Sequence, residues 1–195
     1  MARGYEQKKR GEAAEETRRR IVQATFELHC EQGVAATTMK QIAERAGVSV
    51  GSVYHHFPTY DDAIQACGAH AFSLAPSPEQ DLFGGIPDRG ERVRRLAQAL
   101  FGFYARVRGL AYVIAEQDRM PVLKAFADQE RQVRARLAGA AVGDEGGAKV
   151  VAALLDYRTY DALRDQGFDP DSAAARAAEV ANAWLDQPPE RKDPH

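Results

Sequence analysis

Cysteine is scarce. Cys30 and Cys67 are the only two in 195 residues, so no disulfide framework can staple this chain, and a reducing, cytoplasmic setting is expected. No apolar run approaches the roughly 18 residues that cross a bilayer, so no membrane partner is expected. The opening segment MARGYEQKKRGEAAEET has charges with no apolar stretch behind them, unlike a signal peptide. Strand-like alternation and internal repeats are missing as well, which leaves an all-α chain. There is no H-E-x-x-H, no G-x-S-x-G, no phosphate-cradling glycine loop and no paired C-x-x-C. The expectation is a protein that is not an enzyme and carries no cofactor.

What is present supports a real core, with 45% hydrophobic and 28% charged residues. The formal net charge is only -2, but it is unevenly spread. Residues 1–60 carry 9 basic against 7 acidic side chains, and the remainder carries 17 against 21. Basic residues cluster at Lys8-Lys9-Arg10 and Arg18-Arg19-Arg20. A mildly basic front on an acidic body is compatible with a nucleic-acid-facing end, although a solvated helix face gives the same counts.

Helical periodicity divides the chain. Residues 1–15 are polar and unpatterned and read as a mobile basic arm. A helix from Thr17 places Ile21, Val22, Thr25, Leu28 and His29 on one face and stops at Gly33. Thr37-Thr38 offer an N-cap to a second helix with Met39, Ile42, Ala43 and Ala46 inward, ending at Gly47. Ser49 can cap a third by accepting from Gly51 or Ser52, and Pro58 closes it at Phe57. A fourth opens at Thr59 or Tyr60 and runs past Ile64, Cys67 and Phe72. The Pro- and Gly-rich stretch 75–87 reads as a loop. Helices follow over about 88–109, around Tyr112 and Ile114, over about 121–137, then 148–166 and 170–187. These give an arm over 1–15, a three-helix domain over 16–60, a helical domain over 61–187 and a flexible tail over 188–195.

The informative stretch is GVSVGSVYHHF, residues 47–57. Helix, tight turn and helix over 38–57 have helix-turn-helix proportions. At roughly 100° per residue, Val53 and Phe57 share one face, with Val48 just ahead, and would lock onto Ile21, Leu28, Ile42 and Ala46. Gly51, Ser52 and His55 then point outward with Tyr54 and His56 on the flanks, which suits a major groove about 12 Å wide. His55 and His56 diverge too far around the helix to chelate one ion together.

TRRRIVQA, then GVAATTMKQIAERAGVSVGSVYHHF with its GVS turn and Y-x-H-F ending, resembles the TetR (tetracycline-repressor-like) family of bacterial transcriptional regulators. The likeness is close over about residues 17–65. It implies a homodimer whose N-terminal helices bind a palindromic double-stranded operator. A C-terminal helical domain would bind a small-molecule effector and dimerise through a four-helix bundle. On these positions Thr38, Tyr54 and His56 take phosphate-contacting or groove-flanking places. Lys40, Val50, Gly51 and Ser52 fall where base edges are met. Tyr60 stands where the family usually has lysine, and Val50 where a lysine is often seen; both remove a phosphate-neutralising charge. An alternative expectation is therefore a small-molecule-binding or protein-interaction adaptor with a weakened DNA-binding head.

Within the body, Phe101, Tyr104, Tyr112, Met120, Phe126 and Tyr157 could line an apolar effector pocket, though ordinary core packing explains the same residues. Val151, Leu154 and Leu155 with the alanine-rich last helix, through Ala177, Ala181 and Trp184, form the expected dimerisation face. His29, Cys30, Cys67 and His70 are ligand-type residues on two helices expected to pack together. A buried free thiol and a satisfied histidine are commoner, so no metal is assigned.

Overall fold

The computed structural model describes residues 2–74, 77–78 and 80–187, and among these every regular element is helical. The helices are α1 (Ala2–Gln32), α2 (Met39–Ala46), α3 (Val50–His56), α4 (Tyr60–Leu74), α5 (Arg89–Arg106), α6 (Leu110–Glu116), α7 (Pro121–Val142), α8 (Glu145–Leu154), α9 (Tyr157–Asp165) and α10 (Pro170–Leu185). Two compact units result. The first holds α1–α4 together with Val107–Asp128; the second holds α5, the rest of α7 and α8–α10.

In the first unit the caps are local chemistry. Thr38 and Gln41 form a reciprocal capping box at the start of α2, and Gly47 ends it with φ +64°, a left-handed conformation that glycine adopts without a Cβ penalty. The Ser49 hydroxyl accepts from the Ser52 amide at 3.1 Å to start α3. The core joins Ile21, Ala24 and Leu28 of α1, Ile42 and Ala46 of α2, Val53, Phe57 and Ala63. In the second unit α10 packs along α5 and turns Ala173, Ala174, Ala177, Ala178 and Ala181 inward. Small side chains permit a close axial approach. Asp144, Asp156 and Asp169 cap α8, α9 and α10 in turn.

Several expectations change. The described residues of the expected arm are helix continuous with α1: Glu, Lys, Arg and Ala are good helix formers, and exposed pairs such as Lys8–Glu12 support it without an apolar face. The stretch 148–166 is not one helix but α8 and α9, because Asp156 caps a new start two residues after Leu154. A short 3-10 turn, Gln80–Phe83, interrupts the expected loop. The expected boundary after residue 60 moves, since Ala63 and Ile64 of α4 are buried with the head. The expected tail over 188–195 lies outside the described residues.

The expected dimerisation face is corrected most. Val151, Leu155, Ala177 and Ala181 are buried inside their own unit, where a partner cannot touch them. Helical spacing is shared by the interior and an outer seam. Leu154 is half-buried. Trp184 is 42% exposed, joined by Val180 at 57%.

Gly33 carries φ +88°, and a Cβ there would sit 2.6 Å from Glu116 Oε1 and 2.8 Å from the Tyr112 ring. Gly33→Ala should therefore cost about 1–3 kcal/mol. Gly11, with open space around it inside α1, should tolerate alanine with no loss. Thermal unfolding of the two variants checks the contrast.

Candidate nucleic-acid interface

α3 is seven residues long and is held entirely from behind. Val53 is 0% exposed and Phe57 3%, both set into the core made by α1 and α2. Phe57 also closes the helix, its amide donating to the Val53 carbonyl at 2.8 Å. The Arg18 guanidinium of α1 stacks over the Phe57 ring at 5.1 Å, adding a cation–π contact and leaving a positive charge beside the end of α3. Arg45 joins α2 to α1 through a two-pronged bond to Glu31 at 2.8 and 2.9 Å.

With its back buried, α3 presents Val50, Gly51, Tyr54 and His55 to solvent, and Ser52 and His56 half-exposed. Tyr54 is 50% exposed, so its hydroxyl is free to meet an external acceptor. Lys40 is exposed on α2 and paired only with Glu44 at 3.8 Å, an exposed contact of little energetic weight. The Thr38 hydroxyl is already used: it donates to Gln41 Oε1 at 2.8 Å and accepts from the Gln41 amide. All eight residues expected at a nucleic-acid surface are thus exposed or half-exposed.

Tyr60 points inward. Its hydroxyl donates to the Val34 carbonyl at 2.6 Å, so its oxygen accepts from His29 Nε2 at 2.9 Å. That fixes the neutral tautomer, and His29 Nδ1 is left to accept the Cys67 thiol at 3.4 Å. Burial holds His29 down at about 4 and pushes Cys67 up to about 12. The polar oddities of the sequence form one directed chain of hydrogen bonds between α1 and α4.

Residues 21–67 match the family model described as bacterial regulatory proteins, tetR family. Over its helix-turn-helix residues the chain is similar to the TetR family. It is 46% identical over 69 residues to the HTH-type transcriptional regulator SrpR of Pseudomonas putida, covering 34% of this chain and 32% of that one. It is 41% identical over 78 residues to the HTH-type transcriptional repressor KstR of Mycolicibacterium smegmatis, covering 39% of this chain and 38% of the relative. The matched segments thus span only about a third of these relatives' lengths. Beyond the head the likeness is one of fold. The multidrug binding protein EbrR, solved with imidazole, superposes over 88% of this chain and 91% of its own with a TM-score of 0.63 at 24% identity.

The helix-turn-helix is therefore assembled, and the residues expected to line an effector pocket fall in both units. Phe101, Tyr104 and Tyr157 belong to the second unit, and Tyr112, Met120 and Phe126 to the first. In the second unit Phe101, Tyr104, Tyr157 and Tyr160 pack ring to ring at 5.3–6.1 Å. The Tyr104 hydroxyl donates to Glu130 at 2.7 Å, and the buried Arg134 guanidinium lies between Glu130 and Asp156. His29 and Cys67 are neighbours, but His70 turns to Gln23 Oε1 at 3.1 Å. Among the described residues no three potential metal ligands converge.

Of two further side chains that matter, the sequence singles out Tyr60 but not its role, and does not single out Glu116. Tyr60 read as a missing lysine because periodicity does not say which way a helix-opening residue turns. Glu116 Oε2 accepts from the amides of Val34 at 3.0 Å and Ala35 at 2.8 Å. The available signal was an acid in the last turn of α6, where the helix dipole disfavours negative charge unless outside donors compensate.

His29 also gives the head a pH dependence. Its folded value of about 4 lies below the ordinary 6.5, so as pH falls from 6.5 the unfolded chain takes up the proton first. Stability is full above that range and should fall by roughly 1–3 kcal/mol towards pH 4. His29→Gln, which keeps a donor for Tyr60 and does not titrate, should flatten this part of the profile in denaturant melts at stepped pH.

Proposed function

We propose that the chain is a dimeric, ligand-responsive transcriptional regulator, a repressor that binds a palindromic operator and is released by a small molecule held in its C-terminal helices. The observation that carries this reading is α3: a short helix with its apolar side buried and Val50, Gly51, Ser52, Tyr54 and His55 turned outward. In a major groove Gly51 lets the backbone approach, Ser52 and His55 reach base edges, and Tyr54 donates to a phosphate oxygen. Lys40 and His56 flank that surface, and Arg18 adds a charge beside it.

Two such helices must stand about 34–36 Å apart to enter successive major grooves. A twofold pair through the outer side of α10, centred on Val180 and Trp184, would supply the second. An apolar effector would lie against the aromatic group of Phe101 and Tyr104, both buried, and half-buried Tyr157, and a coupling of about 1–3 kcal/mol would change operator occupancy five- to a hundred-fold. No helix among the described residues is long and apolar enough to cross a membrane, which is consistent with a cytoplasmic site of action.

A salt titration of binding to mixed-sequence duplex tests the reading. The expected result is a steep negative slope of log affinity against log salt, with Tyr54→Phe weakening binding about three- to tenfold on every sequence. A flat slope would instead favour an adaptor that uses this surface on a protein. Trp184→Glu should convert the dimer to monomer in sedimentation; an unchanged mass would refute the α10 pairing.

A further inference from the structure

The segment joining α1 to the helix-turn-helix has no regular structure of its own, yet it is gripped from outside on both sides of a single residue. The Val34 carbonyl accepts twice, from the Thr37 amide at 3.1 Å within the turn and from the Tyr60 hydroxyl at 2.6 Å. Its amide donates to Glu116 Oε2 at 3.0 Å, and the same oxygen takes the Ala35 amide at 2.8 Å. Val34 itself is 3% exposed and packs with Ile64, Val122 and Leu123. Gly33 is left no room to move towards α6, since a Cβ would already touch Glu116. The segment ends at Thr38, the cap from which α2 and then α3 are aimed.

We propose that Tyr60 and Glu116 are positioning residues for DNA binding, holding Val34 from α4 and from α6 so that the helix-turn-helix is presented at one fixed angle. The proposal rests on the DNA-binding reading above and adds to it. A binding constellation has to be held within roughly 0.5 Å and 10–20°. A connector free to rock would move Gly51 and Ser52 off the base edges without removing any group that touches DNA. Neither residue is itself a phosphate contact: the Tyr60 hydroxyl is half-buried and donates inward, and the Glu116 carboxylate would repel a phosphate.

The test compares wild type with Tyr60→Phe, Glu116→Ala, Glu116→Gln and the Tyr60→Phe/Glu116→Ala double variant. Two probes are used: the duplex that wild type selects from a random pool, and mixed-sequence duplex. Each single loss should weaken binding to the selected duplex about tenfold and to mixed sequence much less. The salt slope should stay unchanged, because no phosphate contact is lost. The double variant should lose less than the product of the singles, since both act on Val34. Glu116→Gln, which keeps an acceptor oxygen, should recover most of the loss. Unchanged affinity, strictly multiplicative losses, or a slope reduced by about one unit in Tyr60→Phe would each overturn the proposal. If Glu116→Ala does not fold, Tyr60→Phe carries the comparison. A wild type that binds neither duplex would sink the DNA-binding reading instead. Amide exchange then decides the grip alone, with Val34 and Ala35 expected to exchange faster in Glu116→Ala and equal rates counting against it.

Discussion

Burial of Val53 and Phe57 against α1 and α2 is the constraint on which the head depends. A seven-residue helix is far below the length at which helices persist in water. Two side chains removed from solvent supply about 1.5–3 kcal/mol each, and the caps at Ser49 and Phe57 close both ends. Because stability comes from one side, the other side is released from any structural duty. Gly51, Ser52 and His55 can then be chosen for what they touch, and a glycine that weakens a free helix becomes acceptable in a supported one.

The polar interior of the head follows a related logic. Thr25 is fully buried and returns its hydroxyl to the Ile21 carbonyl at 2.8 Å. His29, Cys67 and Tyr60 pass hydrogen bonds in one direction and finish on the Val34 carbonyl, so each group has a partner that matches its donor or acceptor character. The Tyr60 phenol reaches inward and is part of the scaffold.

Much of this was legible in the sequence. Gly33, Thr38, Gly47, Ser49 and Pro58 punctuate the first three helices with chemistry that acts over a few residues, and their boundaries emerge directly. The outward set on α3 follows from two buried residues four apart. The body was harder to read. Alanine-rich helices carry no strong stripe, so Ala177 and Ala181 look equally suited to a core and to a seam, and only the packing of α10 on α5 decides. Asp156 breaks a run of helix formers because its carboxylate accepts the Arg158 amide, a competition that periodicity does not register. The grip on Val34 spans more than 80 residues of sequence, and no local pattern announces a contact of that range.

The central claim is that the outward side of α3 meets base edges in pairs. Selection of bound sequences from a random duplex pool tests it most directly. An enriched inverted repeat, with half-site centres about one helical turn or a whole multiple apart, is the expected result. A pool that emerges with no repeat, or with half-sites on opposite faces of the duplex, would contradict it.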